Sequence, residues 1–290
     1  MSQITDTESA DVLAMLRGSL ERYLDDHHGF EQRLQALARA DHAPPAFWQG
    51  LARDLDMLGA ALPGEQGGLG LGLAAHLALM PVLGAALAAE PYLSTMVLGA
   101  GLLQRNPGAQ ADALLHRVVA GKAVIAFAHD EPHSRNARND VRTRLSRQAD
   151  GSLLLQGRKA MVHAAPWASH LIVSARGADG RLSLAMLPAD VPSVRMRGYP
   201  TRDGGRAADI AFDEVRLPAD ALVGAEGGAL VQIEQALDEA TLAVCAESIG
   251  VMRRLMRDTL DYVRQRKQFG VPISSFQVLQ HRLADMYMAL

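Results

Sequence analysis

The chain reads as an α+β protein with three parts. These are an N-terminal helical domain (residues 1–120), a middle antiparallel β-domain (121–224) and an incomplete C-terminal helical bundle (225–290). Three observations predict this. Apolar residues recur at helical spacing to about residue 118. From Lys122 the texture changes to short β-type runs broken by Gly, Asp and Pro. Helical spacing returns after Gly224-Ala225-Glu226-Gly227-Gly228. The switch from a period of 3.6 to short strands and back separates helical from sheet segments. A chain of 290 residues is long enough to bury several layers of core.

In order along the chain, Val12, Leu16, Leu20 and Tyr23 mark a first helix that His27-His28-Gly29 ends. Phe47, Leu51, Leu55 and Leu58 mark another, between Pro44-Pro45 and Gly59. The glycine-rich run from Leu62 to Gly70 predicts a tight, close-packed loop. Gly67 to Ala89 carries one ionisable side chain, His76. Its glycines, Pro81 and lack of aromatic or basic flanks predict a buried helix pair rather than a membrane span. Met96–Leu103 and Ala111–Ala120 continue the helical texture. Strands are expected at 124–128, 152–156, 171–174, 182–187 and 208–212. Leu230, Ile233, Leu237, Ala240, Val244, Val251, Leu255 and Tyr262 then make one stripe, predicting a helix of nearly forty residues.

Composition excludes several classes. Formal charge is −3, which does not favour nucleic acid or an anionic membrane as partner. A single cysteine, Cys245, excludes an internal disulfide and fits a reducing cytoplasm. Its apolar helical setting predicts a buried, inert thiol. The N-terminus carries Asp6, Glu8 and Asp11 where a secretory signal needs basic residues, and no metal-ligand spacing occurs. The expected location is cytoplasmic. Arg135, Arg138, Arg142, Arg144 and Arg147 form a local basic run that suits phosphate groups or, more plainly, a solvated strand face.

The stretch from Tyr262 to Met288 carries more specific information. Arg266-Lys267-Gln268-Phe269-Gly270-Val271-Pro272-Ile273 reads as the end of one helix, a turn, and the start of another. Gly270 takes the positive φ such an end needs, and Pro272 prevents continuation. Ser274 or Ser275 is expected to cap the next helix. Capping and dipole rules account for the charges but not for an arginine, an amide and an aromatic crowded into the turn, with Gln277 after it. The segment RKQFGVPISSFQVLQHRLADM resembles the signature of the acyl-CoA dehydrogenase family, flavoenzymes that oxidise acyl-CoA thioesters. The order of helices, β-domain and long helix extends the resemblance over the whole chain. The family's chains continue through further bundle helices, whereas this one stops at Leu290.

The resemblance implies an FAD-dependent oxidoreductase that performs α,β-dehydrogenation of an acyl-CoA. Its R-x-x-F-G turn would reach the flavin of a neighbouring subunit through Arg266, Gln268 and Phe269, with Gln277 beside them. Two strand ends would flank the chain's own flavin. The family's T-E-P segment aligns with Asp130-Glu131-Pro132 after His129, and its W-I-T segment with Met161-Val162-His163. His129, Asp130, Met161 and His163 are thus candidate cofactor contacts. Asp238 and Asn136 are candidate substrate contacts. Some members place the catalytic glutamate where Ala240 stands, which makes adjacent Glu239 the candidate base, although one residue turns a helical side chain by about 100°.

Further matches lie at HDEPHSR, Gly198–Gly204 and DEATLAVCAESIG. They resemble a sub-group that pairs two unlike chains and acts on medium-chain or dicarboxylyl thioesters. The implied partners are an acyl-CoA, an electron-transfer flavoprotein and a second acyl-CoA dehydrogenase-like chain, in a homo- or hetero-oligomer. Two alternatives stay open: a non-catalytic partner subunit of a heteromeric enzyme, and a flavin-dependent monooxygenase of the same fold.

Overall fold

The computed structural model describes residues 6–38, 46–135 and 137–290. Helices α1 (Asp6–His27), α2 (Phe30–Ala38), α3 (Ala46–Arg53) and α4 (Gly72–Ala86) come first. A π-helical segment, Leu93–Ala100, runs directly into α5 (Gly101–Gln104), and α6 (Ala109–Val119) follows. Helix α1 ends at His27, where the sequence marks its end. Helix α3 stops at Arg53 instead of continuing to Gly59, because Asp56 adopts a left-handed φ of 52° and turns the chain. Leu55 to Leu58 therefore reach the core from a turn. The expected helix pair within 67–89 is a single helix, α4, which absorbs Pro81.

The middle of the chain forms β1 (Ile125–Ala128), β2 (Arg144–Arg147), β3 (Leu153–His163), β4 (His170–Arg176), β5 (Leu182–Pro188), β6 (Val194–Pro200), β7 (Arg206–Leu217) and β8 (Leu222–Val223). The sheet order is β6-β7-β3-β2-β4-β5-β8, with β1 added on β4. Most neighbours are antiparallel, but β1 runs parallel to β4, and β2 meets β4 in parallel at one residue pair, Arg144 with Arg176. The all-antiparallel expectation is corrected at those two pairings. Strand β6 was not expected from the sequence. Its Arg195 and Arg197 face solvent on a sheet edge, so it lacks the apolar run of a core strand.

Alternation builds two cores around this sheet. Ile125, Phe127, Ile172, Leu182 and Leu184 join a core shared with α1, α3, α4, α6 and a long helix, α7 (Ala229–Gln265). Ala126, Ala128, Leu171, Val173, Ala185 and Leu187 point the other way, into a core inside the β-domain. Successive residues of β1, β4 and β5 thus serve opposite cores, as a strand's period of two dictates. Thr95, in the π-helical segment, ties this layer to β1 by exchanging hydrogen bonds with the Ile125 backbone at 3.2 and 3.3 Å.

Helix α7 has 37 residues, roughly 55 Å at the α-helical rise. Its buried seam is Ala229, Ile233, Ala236, Ala240, Ala243, Ala246 and Gly250. The larger residues of the expected stripe are partly outside: Val244, Leu255 and Tyr262 are exposed. The seam is small because α7 lies very close to α4. A Cβ on Gly250 would sit 1.8 Å from the Pro81 carbonyl oxygen.

Beyond Gly250 most of the helix is exposed, with Met256 and Val263 still buried. It ends in a hairpin of two short strands, β9 (Lys267–Gln268) and β10 (Val271–Pro272), followed by α8 (Gln277–Ala289), no residue of which is buried. No serine side chain caps α8. Ser275 Oγ instead donates to the Pro272 carbonyl at 2.7 Å, and Phe276 occupies the cap position.

Candidate functional site

The segment that follows β1 faces the middle of α7 across a recess of about 360 Å³. His129, Asp130 and Arg138 line one wall; Leu237, Ala240, Thr241, Val244 and Cys245 line the other. The backbone N–H of Ala160 donates to the Asp130 carbonyl at 2.8 Å, which places Met161 beside Asp130. The two strand ends expected to flank a cofactor are therefore neighbours. Asp130, Met161 and His163 are all exposed at these strand ends, and Met161 has a left-handed φ of 51°. The recess is bridged at its rim, where Arg138 Nη1 donates to Asp238 Oδ1 at 2.8 Å.

Behind the wall lies a cluster that the sequence did not reveal as one. Lys159 is fully buried. Its ammonium donates to Glu131 Oε1 at 2.9 Å, to the His129 carbonyl at 2.8 Å and to Ser174 Oγ at 3.1 Å. The Glu131 carboxylate also accepts the backbone N–H groups of Arg142 at 2.8 Å and Thr143 at 2.9 Å. Burial by itself would raise the Glu131 carboxyl, but the Lys159 charge and these hydrogen bonds outweigh it and hold it below the ordinary value. Burial lowers Lys159 to about 8 against the opposing pull of Glu131. Burial, reinforced by Lys159, lowers His129 to about 4, so its imidazole is neutral. The His129 ring stacks on Phe127 with centroids 5.4 Å apart. Glu131 and Lys159 are 28 residues apart, a separation that hides the pair in sequence. The available signal was a lysine at an inward register position of β3.

The other candidates fall elsewhere. Glu239 is ion-paired with Arg105 at the end of α5 and is not among the residues lining the recess, whereas the adjacent Ala240 is. The helical rotation of about 100° per residue separates them. Asp238 stands at the recess rim, through Arg138. Asn136 lies outside the described residues. Cys245 is exposed and lines the recess, which corrects the expectation of a buried thiol: the face of α7 opposite its alanine seam stays open. Of the basic run, Arg138 pairs with Asp238 and Arg147 with Glu226, each at 2.8 Å, and Arg142 with Asp140 at 3.9 Å, so three of its charges have local carboxylate partners. Among the described residues, no group of three or more His, Cys, Asp or Glu is gathered as for a metal, and no helix is long and apolar enough to cross a membrane.

Arg266, Gln268, Phe269 and Gln277 are all exposed, at the far end of α7. From Cys245 to Arg266 is roughly 30 Å of helix, so the two sets of candidate cofactor contacts cannot meet on one molecule within one chain. At the hairpin tip, Phe269 and Gly270 have φ values of 53° and 82°, the pattern of a type I′ turn. Such a turn favours asparagine before glycine, and a bulky residue with positive φ is strained. Phe269 holds that conformation while 92% exposed, with Phe276 edge-on beneath it. A guanidinium, two amides and an uncovered aromatic ring form a donor set that fits a diphosphate and a flat heterocycle.

Residues 11–122 match the family model described as acyl-CoA dehydrogenase, N-terminal domain, and residues 226–290 match acyl-CoA dehydrogenase, C-terminal domain. The chain is 31% identical over 253 residues to a mitochondrial 2-methylacyl-CoA dehydrogenase of Solanum tuberosum, covering 83% of this chain and 60% of the relative. It spans less than two thirds of this and two further curated relatives, at 60%, 61% and 65% of their lengths. Among solved structures, a variant of the Tcur3481-Tcur3483 steroid ACAD has a TM-score of 0.84 at 30% identity, covering 97% of this chain and 74% of that one. The ChsE4-ChsE5 complex from Mycobacterium tuberculosis has a TM-score of 0.84 at 26% identity, covering 99% and 75%. A glutaryl-CoA dehydrogenase from Mycobacterium smegmatis in complex with FADH2 shares the fold, with a TM-score of 0.84 at 23% identity and coverage of 98% and 72%.

Proposed function

This chain belongs to the acyl-CoA dehydrogenase family, and from that premise we propose that it is one subunit of an FAD-dependent acyl-CoA dehydrogenase whose complete sites form between chains. The observation that carries the reading is the division of the cofactor contacts. His129, Asp130, Met161 and His163 lie by the middle of α7, and the exposed, strained Phe269 turn with Arg266, Gln268 and Gln277 lies beyond its C-terminal end. In an oligomer the turn of one chain would serve the strand ends of the next. FAD, when bound, would supply the hydride acceptor for α,β-dehydrogenation of an acyl-CoA. The recess beside α7 would take the thioester, with Arg138 and Asp238 at its mouth. Glu239, the candidate base, would have to leave Arg105 to act.

The sub-group resemblance is to the small subunit of pimeloyl-CoA dehydrogenase. It supports a hetero-oligomer with a second acyl-CoA dehydrogenase-like chain and a dicarboxylyl or medium-chain substrate, with electrons passing to an electron-transfer flavoprotein. A second reading, a partner subunit without its own chemistry, is favoured by two observations. Glu239 is tied up by Arg105, and an acceptor-only carboxylate, Asp130, stands where the family has a hydroxyl donor.

Flavin absorbance of the purified chain, alone and with candidate partner chains, tests these readings. The expected result is a yellow oligomer that bleaches anaerobically with octanoyl-CoA or pimeloyl-CoA. A monomeric chain that binds FAD fully would overturn the shared-site reading. An assembly that binds FAD only at its partner's turn and strand ends would establish the partner-only alternative.

A further inference from the structure

The buried cluster behind the recess fixes the position of one proton. Lys159 has three N–H groups and three acceptors around it: the His129 carbonyl, Glu131 Oε1 and Ser174 Oγ. Ser174 is fully buried, and its oxygen receives the ammonium, so its own single proton must go elsewhere. His129 Nδ1 lies 2.9 Å away. A hydroxyl that donates to Nδ1 requires that nitrogen to be bare, so the neutral ring carries its hydrogen on Nε2. The opposite tautomer would leave the Ser174 hydroxyl hydrogen with no acceptor in a site closed to water.

Among the other polar side chains of the recess there is no second neutral nitrogen donor. The Thr241 hydroxyl donates to the Leu237 carbonyl at 2.8 Å, the Arg138 guanidinium is a cation paired with Asp238, the Cys245 thiol is a weak donor, and the Asp130 carboxylate accepts. His129 is therefore the neutral nitrogen donor of this wall. Its plane is held by Phe127, and in the free chain it lies within hydrogen-bond reach of the Arg138 backbone carbonyl.

Resting on the acyl-CoA reading of the recess, we propose that His129 is a catalytic residue whose Nε2–H donates to the thioester carbonyl oxygen of the bound acyl-CoA, with Ser174 and Lys159 as the positioning residues that fix its tautomer. The ligand oxygen replaces the Arg138 carbonyl as acceptor. Loss of the α-proton shifts negative charge onto that oxygen, and a fixed donor stabilises it more as the charge grows. A neutral imidazole suits this role because it strengthens its hydrogen bond without surrendering its proton. No covalent bond to His129 forms or breaks.

The test uses the full chain in its native assembly, labelled with ¹⁵N-histidine, and octanoyl-CoA labelled with ¹³C at the thioester carbonyl. The expected spectrum at neutral pH shows His129 with a protonated Nε2 and a bare Nδ1, and the bound carbonyl resonance moves downfield. His129→Leu removes that shift and lowers kcat/KM by about 100-fold, the scale of losing one oxyanion donor. His129→Gln, which keeps an N–H near the same place, restores most of both. Ser174→Ala mixes the tautomers and lowers kcat while KM stays constant. The wild-type spectra decide the question even if a variant fails to fold. An Nδ1–H ring, an imidazolium, or a bound but unshifted carbonyl overturns the role of His129 alone. Absence of octanoyl-CoA binding by calorimetry overturns the acyl-CoA reading of the recess, and this proposal with it.

Discussion

Among the described residues, two imidazoles are buried without charge. His76 hydrogen-bonds the Tyr92 hydroxyl at 3.1 Å and, like His129, is lowered by burial to about 4 from the ordinary 6.5. Between those values the unfolded chain binds protons that the folded chain refuses, so stability rises with pH across the window and is lost on acidification through it. Each histidine contributes up to about 3 kcal/mol over the full window. Glu90 acts in the opposite sense. Its Oε2 is sealed from solvent without a partner, and burial pushes the carboxyl up to about 7 from 4.5. Over that range the folded chain keeps a proton that the unfolded chain releases, so the Glu90 contribution falls as pH rises. Glu90→Gln should therefore steepen the acid loss between pH 5 and 6.5 and raise stability above pH 7, as read by urea denaturation across pH.

The Lys159–Glu131 pair makes a second prediction at this scale. Lys159→Met leaves Glu131 buried beside two backbone donors but without its counter-charge, a loss of about 3–5 kcal/mol. Lys159→Met with Glu131→Gln removes the stranded charge while keeping an acceptor for those donors. The double variant should be more stable than the single one in the same denaturation assay.

Helix α7 shows at the element scale what a sequence reveals and what it conceals. Its length and its place after the glycine run were legible because a 3.6 period persists over ten turns. Its buried seam was legible only in part: Ile233 and Ala240 of the expected stripe are buried, but periodicity draws the eye to Leu, Val and Tyr, and the rest of the seam is mostly alanine and Gly250. That choice depends on how closely α4 approaches, a fact set by α4. Gly250→Ala tests the contact by weighing two effects. Alanine gains about 1 kcal/mol of helix propensity over glycine. Its Cβ meets the Pro81 carbonyl oxygen at 1.8 Å, which forces the helices apart at a cost of about 3 kcal/mol or more. A net loss of about 2 kcal/mol is expected, measured as a lower urea midpoint with unchanged slope.

The strands divide in the same way. Those that bury both faces, β1, β4 and β5, announced themselves as apolar runs. Edge strand β6, with alternate arginines, did not. The candidate site follows the same logic: single motifs were readable, but the Lys159–Glu131–Ser174–His129 cluster joins two strands, β3 and β4, and the loop after β1. No local pattern encodes such a meeting.

For the whole molecule, the divided contacts along α7 decide how function relates to fold. Phe269 is 92% exposed, with its ring edge-on to Phe276, so Phe269→Ala should change stability of the chain by less than about 0.5 kcal/mol. The same variant should lose flavin from the assembly, seen as faster release of yellow chromophore on gel filtration. A loss of folding stability comparable to the loss of flavin would instead make Phe269 a local structural residue.

The hairpin at the tip of α7 and the recess at its middle also have a genetic consequence. If each serves a different site in a pair of identical chains, damage at the two places is complementary. A chain altered at Phe269 still offers a sound recess, and a chain altered at His129 still offers a sound turn. Co-expressed, the two defective alleles assemble mixed pairs in which one site receives both sound halves while the other receives both faulty ones. Two inactive alleles would then restore growth on a substrate that neither supports alone.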